Sequence, residues 1–158
     1  MGKPLLTKNK KYHQGMYSPR HPEKYCGNPC HIVYRSGWEK AFLLWCDMTP
    51  AVLAYGSEEM VIPYVSPIDG KQHRYFVDFF VVVRQSNGTT RKFAVEIKPL
   101  AQTKPPKVTK KVLTESLKYQ LQTYAVNQAK WEAARKYCKA LGIEFIILTE
   151  AELLKGKR

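Results

Sequence analysis

Phe76-Val-Asp-Phe-Phe-Val-Val-Val-Arg-Gln85, then Ser86-Asn-Gly-Thr89, then Thr90-Arg-Lys-Phe-Ala-Val-Glu-Ile-Lys98 is the stretch on which the reading of this chain turns. Its flanks are rich in β-branched and aromatic residues, and its middle is a turn cluster around Asn87-Gly88, so it spells a β-hairpin. Three charges interrupt the apolar strands: Asp78, Glu96 and Lys98. Glu96 and Lys98 are two apart and share one face of their strand. Charge set among Phe76, Val77, Phe79, Phe80, Val95 and Ile97 is costly unless it is paired or holds a metal. Two carboxylates and a lysine converging on one face make a site for a hard cation with a positive charge beside it. Register imposes a condition. A two-residue Asn87-Gly88 loop would pair Asp78 with Ile97 and turn it away from Glu96 and Lys98. Convergence requires an odd number of loop residues or a bulge, and one of the two is expected.

The bulk properties narrow the class. A chain of 158 residues with 44% apolar and 12% aromatic residues is expected to form one globular domain with a sizeable core. It carries 26 Lys plus Arg against 13 Asp plus Glu, a net charge of +13. That excess points to a polyanionic partner, nucleic acid first, with a well-solvated basic surface as the plain alternative. No apolar run is long enough to cross a membrane, and the polar start is not a signal peptide, so no membrane partner is expected. Cys26, Cys30, Cys46 and Cys138 are irregularly spaced and read as reduced thiols. Cys26, Cys30 and His31 lack the second ligand pair a zinc site needs.

Along the chain, residues 1–30 read as an extended basic arm, with Lys3, Lys8, Lys10, Lys11, Arg20 and Lys24 against the single acid Glu23. Tyr12, Tyr17 and Tyr25 are interleaved with prolines, which suits backbone tracking and base stacking on nucleic acid. The same tyrosines could instead pin the arm to the domain surface. Ser36 with Glu39 three residues later has the spacing of a capping box and opens a helix that runs to about Asp47, burying Trp38, Phe42 and Trp45 or the neighbouring Ala41 and Leu44, and stops at Thr49-Pro50. Glu39 then either closes its own cap or reaches the site as a third acid. Residues 52–64 read as one strand region, and Pro67-Ile-Asp-Gly70 as a turn. After Lys98 comes a proline-stiffened loop with Lys104, Lys107, Lys110 and Lys111 and no acid, a rail for phosphates. Residues 115–141 are helical, as one helix or two with a break near Asn127. Leu117, Leu121 and Tyr124 form one stripe, and Trp131, Ala134, Cys138 and Leu141 a second, as core contacts rather than a cofactor box. No nucleotide cofactor is expected. Gly142 stops the helix, residues 143–148 form a last buried strand, and a turn of helix leads to the basic residues 155–158.

The order helix, strand, hairpin with Asp78 and Glu96-Ile-Lys98, helix, strand resembles the core of the PD-(D/E)xK nuclease superfamily. Val77 stands where that signature usually has proline, a position that carries no catalytic group. Ser36-Gly-Trp-Glu39 with Phe42, and residues 131–150, resemble the TnsA-type endonucleases. Tyr34-Arg-Ser-Gly-Trp-Glu39, Ser57-Glu-Glu59, Ile62-Pro-Tyr64, Ser66-Pro-Ile-Asp69, His73-Arg-Tyr-Phe76 and Glu96-Ile-Lys-Pro99 resemble the head completion nucleases of T4-like tailed phages. The resemblance implies an α/β, restriction-endonuclease-like core, a mixed central β-sheet flanked by helices, over residues 31–154. The extended basic arm would precede it and a basic tail, 155–158, would follow. It implies a DNA endonuclease with Glu39, Asp78, Glu96 and Lys98 as the catalytic set. Asp78, Glu96, Glu39 and the backbone carbonyl of Ile97 would hold Mg²⁺, with Mn²⁺ able to substitute. Double-stranded DNA would lie along Lys8, Lys10, Lys11, Arg20, Arg35, Arg74, Lys104, Lys107, Lys110 and Lys111. Capsid or portal proteins of a phage head would be partners, placing the protein in the virion and, during assembly, in the host cytoplasm. A non-catalytic head plug, or a nuclease for branched or foreign DNA, are the alternatives. Gln120 and Tyr124 resemble a Gln-x-x-x-Tyr motif of some related nucleases, but helical core is the favoured reading.

Overall fold

The computed structural model describes residues 14–109 and 111–153. Its centre is a four-stranded sheet in the order β3 (Val52–Ser57), β6 (Phe79–Arg84), β7 (Thr90–Ile97), β8 (Glu144–Leu148). The first two pairings are antiparallel and β7–β8 is parallel, so the sheet is mixed, as expected. The valine run of β6 serves both faces, as a strand covered on two sides must. Phe79, Val81, Val95 and Ile97 pack with Phe42, Leu43 and Cys46 of helix α1 (Gly37–Met48). Ala94 packs on the other side with Trp131, Ala134 and Cys138 of helix α2 (Glu115–Ala140). Burying each large side chain of this kind contributes about 1.5–3 kcal/mol.

Several local expectations are corrected. The strand region over 52–64 is two strands, β3 and β4 (Val61–Val65), because Glu58 takes a left-handed backbone with φ 55° and turns the chain between them. β4 pairs with β5 (Gln72–Phe76) in a separate hairpin lying against α2. Helix α1 buries Phe42, Leu43, Cys46 and Asp47, leaving Trp45 and Leu44 exposed. Helix α2 runs without a break through Asn127. Leu117, Leu121 and Tyr124 are only half-buried, and Leu141 is exposed. Gly142 follows α2 with φ 69°, and β8 is a half-buried edge strand. A short helix, α3 (Glu150–Leu153), follows it.

Of the stretch expected to form an arm, residues 14–30 lie against the domain. β1 (Gly15–Tyr17) pairs with β2 (Ile32–Tyr34), and Tyr25 is buried against Tyr55. Buried Asp47 accepts hydrogen bonds from Tyr17 Oη at 2.7 Å and from the backbone N–H groups of Arg20 and His21 at 2.8 and 2.9 Å. Lys24 Nζ donates to the carbonyls of Cys46, Asp47 and Thr49 at 2.7, 2.9 and 2.9 Å. The carbonyls of Cys46 and Asp47 are left over at the end of α1, Thr49 O also accepts from Val52 N–H at 3.0 Å, and a cation there complements the helix dipole.

Candidate active site

The hairpin loop holds the key to the site. β6 and β7 pair Phe79 with Val95 through Arg84 with Thr90, leaving a five-residue loop, 85–89. Gln85 N–H donates to Thr89 O at 2.7 Å, Gly88 sits at φ 83°, and Asn87 Oδ1 accepts from Thr89 N–H at 3.0 Å. The loop is odd, so the same register carried one step further sets Asp78 opposite Glu96. Convergence is met by loop length, without a bulge between these two strands.

Asp78 lies in the bend before β6, and its Oδ2 accepts from Ile97 N–H at 2.8 Å. Its carbonyl accepts from Glu58 N–H at 3.0 Å. Glu96 is 5% exposed. Its Oε2 accepts from Tyr75 Oη at 2.5 Å and its Oε1 lies 3.3 Å from Lys98 Nζ. Glu39, at the third position of α1, serves the helix start. Its N–H donates to Ser36 Oγ at 3.1 Å, and its Oε2 accepts from Arg35 N–H at 2.8 Å. It also lines a cleft of about 640 Å³ together with Arg35, Ile97, Lys98 and Gln102.

The electrostatics join these groups. Burial pushes the Asp78 carboxyl well above the usual carboxylate range, and the charges of Glu96 and Glu39 push it further, against the pull of Ile97 N–H and Lys98. Burial likewise raises Glu39, opposed by Arg35 and reinforced by Glu58 and Glu96. Tyr75 is raised by burial and by Glu96, so its hydroxyl stays a donor. Arg35 is ion-paired with Glu58 and feels Glu39 and Asp78 as well. Lys130, on α2, is lowered by burial while Glu96 and Asp78 draw it the other way. Its ammonium lies over the rings of Tyr64 and Tyr75, 5.7 and 5.5 Å from their centroids.

Among the described residues, no three His, Cys, Asp or Glu side chains are gathered into a metal cluster. Glu39 is turned to Arg35 N–H rather than closed on the other acids. The donor chemistry still suits a hard divalent ion. A desolvated Asp78 carboxyl, raised by burial and by the neighbouring Glu96, is what such a charge relieves, and Mg²⁺ is commonly held by one or two carboxylates with water and phosphate completing the shell.

Residues 49–150 match the family model described as TnsA-like endonuclease N terminal. The chain belongs to this family. It is also 40% identical over 141 residues to the head completion nuclease of Enterobacteria phage T4, covering 87% of this chain and 91% of that protein. Asp78, Glu96 and Lys98 fall inside the TnsA-like match, whereas Glu39, on α1, lies before it.

Of the other sequence-derived sites, Arg35 borders the cleft beside Glu39 and Lys98, and Lys104 lines a neighbouring one. Arg74 sits on β5 with its guanidinium over Phe76. Lys107 and Lys111 are exposed. Arg20 is displaced from the site, bordering an apolar groove formed by Trp45, Met48 and Leu153. Lys8, Lys10, Lys11 and Lys110 lie outside the described residues. Glu58, Tyr75 and Lys130 are site neighbours that sequence reasoning missed. Glu58 left a trace as half of an acidic pair at a strand end, but Lys130 left none, because α2 reaches the site only by packing.

Proposed function

We propose that this protein is a divalent-metal-dependent DNA endonuclease acting in the completion of a tailed-phage head. The observation that carries this reading is the odd hairpin loop, which sets Asp78 opposite the buried Glu96, with the half-buried Lys98 paired to Glu96. A non-catalytic DNA plug has no use for two desolvated acids. Asp78 and Glu96 would hold the ion, Mg²⁺ or Mn²⁺, with the Ile97 carbonyl and Glu39 completing its shell. When bound, such an ion polarises the scissile phosphate and lowers the pKa of a bound water.

The chain's own residues do the rest. Tyr75 and Lys98 each occupy one oxygen of Glu96, which fixes the carboxylate's orientation. Lys98 has donors to spare, and these can orient the attacking water or meet charge developing on the phosphate. Arg35, on the wall of the cleft, can exchange the Glu58 carboxylate for a phosphate, two of whose oxygens its planar guanidinium can meet at once. Residues 31–154 carry the chemistry in this reading, and the basic stretches 1–30 and 155–158 extend the contact with DNA. Capsid or portal proteins are the partners proposed, and the phage head, with the host cytoplasm during assembly, the place of action.

The test is incubation of purified protein with supercoiled and linear DNA in Mg²⁺, Mn²⁺ or EDTA, with Asp78→Ala and Glu96→Ala alongside. Cleavage is expected with either metal, none in EDTA, and almost none in either variant while DNA binding persists. Undiminished wild-type cleavage in excess EDTA would refute the metal-dependent reading.

A further inference from the structure

The active-site cleft does not end at Lys98. Gln102 lines it and also lines a second cleft of about 590 Å³, between the segment after β7 and the outer half of α2, where Lys104, Tyr119, Gln120, Tyr124 and Asn127 form the walls. That volume is in the range of small-ligand cavities, roughly 300–1,000 Å³.

Asn127 is the residue that needs explaining. Asparagine is a poor helix former, yet this one stands in the middle of α2. It is only 7% exposed, and its side-chain amide has no hydrogen-bond partner among the described residues. The amide is not sealed in like Tyr55 Oη and Trp131 Nε1, so its opening is onto the cleft. Buried amides are nearly always partnered, so one kept free at a cleft is available to a ligand. It offers an acceptor and two donors side by side, the pattern that matches the edge of a nucleobase.

The opposite features of the cleft agree. Tyr119 is 71% exposed and makes no ring contact, hydrogen bond or ion contact among the described residues. An open aromatic ring next to a lysine is how single-stranded nucleic acid is held, by stacking on the base and charge on the phosphate. Lys130 lies one helical turn beyond Asn127 on the same face, and so leads from this cleft to Glu96.

We propose that the second cleft receives an unpaired nucleotide of the DNA strand being cut. Asn127 meets the base edge, Tyr119 stacks on the base, and Lys104 holds the phosphate. A base inside a duplex cannot enter, because both its faces are stacked and its pairing edge is occupied. The preferred substrate is therefore DNA with a single-stranded segment next to the cleaved phosphate, such as an overhang or a gap. This rests on the endonuclease reading given above.

Fluorescence anisotropy in EDTA, where the proposed chemistry is off, tests it with a blunt duplex and the same duplex carrying a short overhang. The wild-type protein is expected to bind the overhang form about tenfold more tightly or better. Asn127→Leu and Tyr119→Ala should each remove most of that preference and leave blunt-duplex affinity within about twofold. Asn127→Leu should match or exceed the wild-type Tm, since leucine is a better helix former and carries no unpartnered amide. Tyr119→Ala, on an exposed ring, guards against a poor fit of the first substitution. Equal affinity for both DNAs, or a preference that neither substitution touches, overturns the proposal and leaves the Asn127 amide to solvent only. Cleavage of the blunt duplex with Mg²⁺, measured in parallel, keeps the two readings apart. Cleavage without overhang preference sinks this cleft alone, and no cleavage of any DNA sinks the endonuclease reading.

Discussion

Replacing Glu39 with glutamine separates the bonds it makes at the start of α1 from the metal-ligand role proposed for its carboxylate. Glu39 N–H caps on Ser36 Oγ at 3.1 Å, and Glu39 Oε2 accepts from Arg35 N–H at 2.8 Å. Glutamine keeps the N–H and an acceptor oxygen, so both bonds survive. The second declines from a charge-assisted bond, about 1.5–3 kcal/mol, to a neutral one, about 0.5–1.5 kcal/mol. Against that loss of about 1 kcal/mol stands the removal of a desolvated charge that faces Glu58 and Glu96. Stability should therefore change by no more than about 1 kcal/mol, or about 2–4 °C in Tm for a chain of this size. Cleavage should fall by well over tenfold, which is more than about 1.4 kcal/mol in the barrier. The pH dependence adds a signature. Burial raises the Glu39 carboxyl above its ordinary 4.5, so its contribution to stability is full below that value and is lost as pH rises through the raised one. Glutamine does not ionise, so the Tm of the variant relative to wild type should climb across that window and then level off. Initial cleavage rates in Mg²⁺ and thermal melts from acid to neutral pH give both readouts. Full activity with the fold intact would return Glu39 to its cap and leave Asp78, Glu96 and Lys98 as the site.

Lys98→Ala should reduce turnover far more than metal affinity, because a protonated lysine donates but cannot ligate; calorimetric titration that finds the metal site lost while cleavage persists would contradict this. Asp47→Ala removes the acceptor of the Tyr17, Arg20 and His21 bonds and should cost at least about 3 kcal/mol, a fall of about 6–12 °C in Tm. Burial alone would raise the Asp47 carboxyl, but those bonds outweigh it and hold it below its ordinary value, so its contribution should fade as pH falls through the acid range. Tyr55→Phe deletes a buried hydroxyl with no partner among the described residues and should stabilise the protein by about 1 kcal/mol; a lower Tm would show that the hydroxyl is bonded after all.

The sheet and its two helices were legible because the signals were local. The alternation in residues 79–98, the Ser36 cap and Gly142 all act through nearest neighbours along the chain. The convergence of Asp78 and Glu96 was legible as a condition, since strand parity links loop length to side-chain face. What stayed hidden depends on contacts distant in sequence. Nothing local marks Glu58 as the residue that adopts φ 55° and donates its N–H to the Asp78 carbonyl. Nor does helical periodicity show that α2 brings Lys130 over Tyr64 and Tyr75, because those rings come from a hairpin more than fifty residues earlier. The arm stayed open between two readings for a related reason: Lys24 and Tyr17 look like surface residues until the end of α1 supplies their partners, which pin residues 14–30 to the domain.

The parallel pairing of β7 with β8 bears on when this protein becomes dangerous to DNA. Val95 pairs with Ile146, and Lys98 N–H is fastened to Leu148 O at 2.9 Å, each link spanning about fifty residues of chain. Closing so long a loop is slow compared with making the β6–β7 hairpin. During synthesis the strand that carries Glu96 and Lys98 is thus made early but stays unbraced on one edge until α2 has folded and β8 has docked. A ribosome-bound fragment that ends before α2 holds Glu39, Asp78 and Glu96 without the strand that braces β7. Cutting competence is assembled late, by the docking of an edge strand that contributes no chemistry of its own.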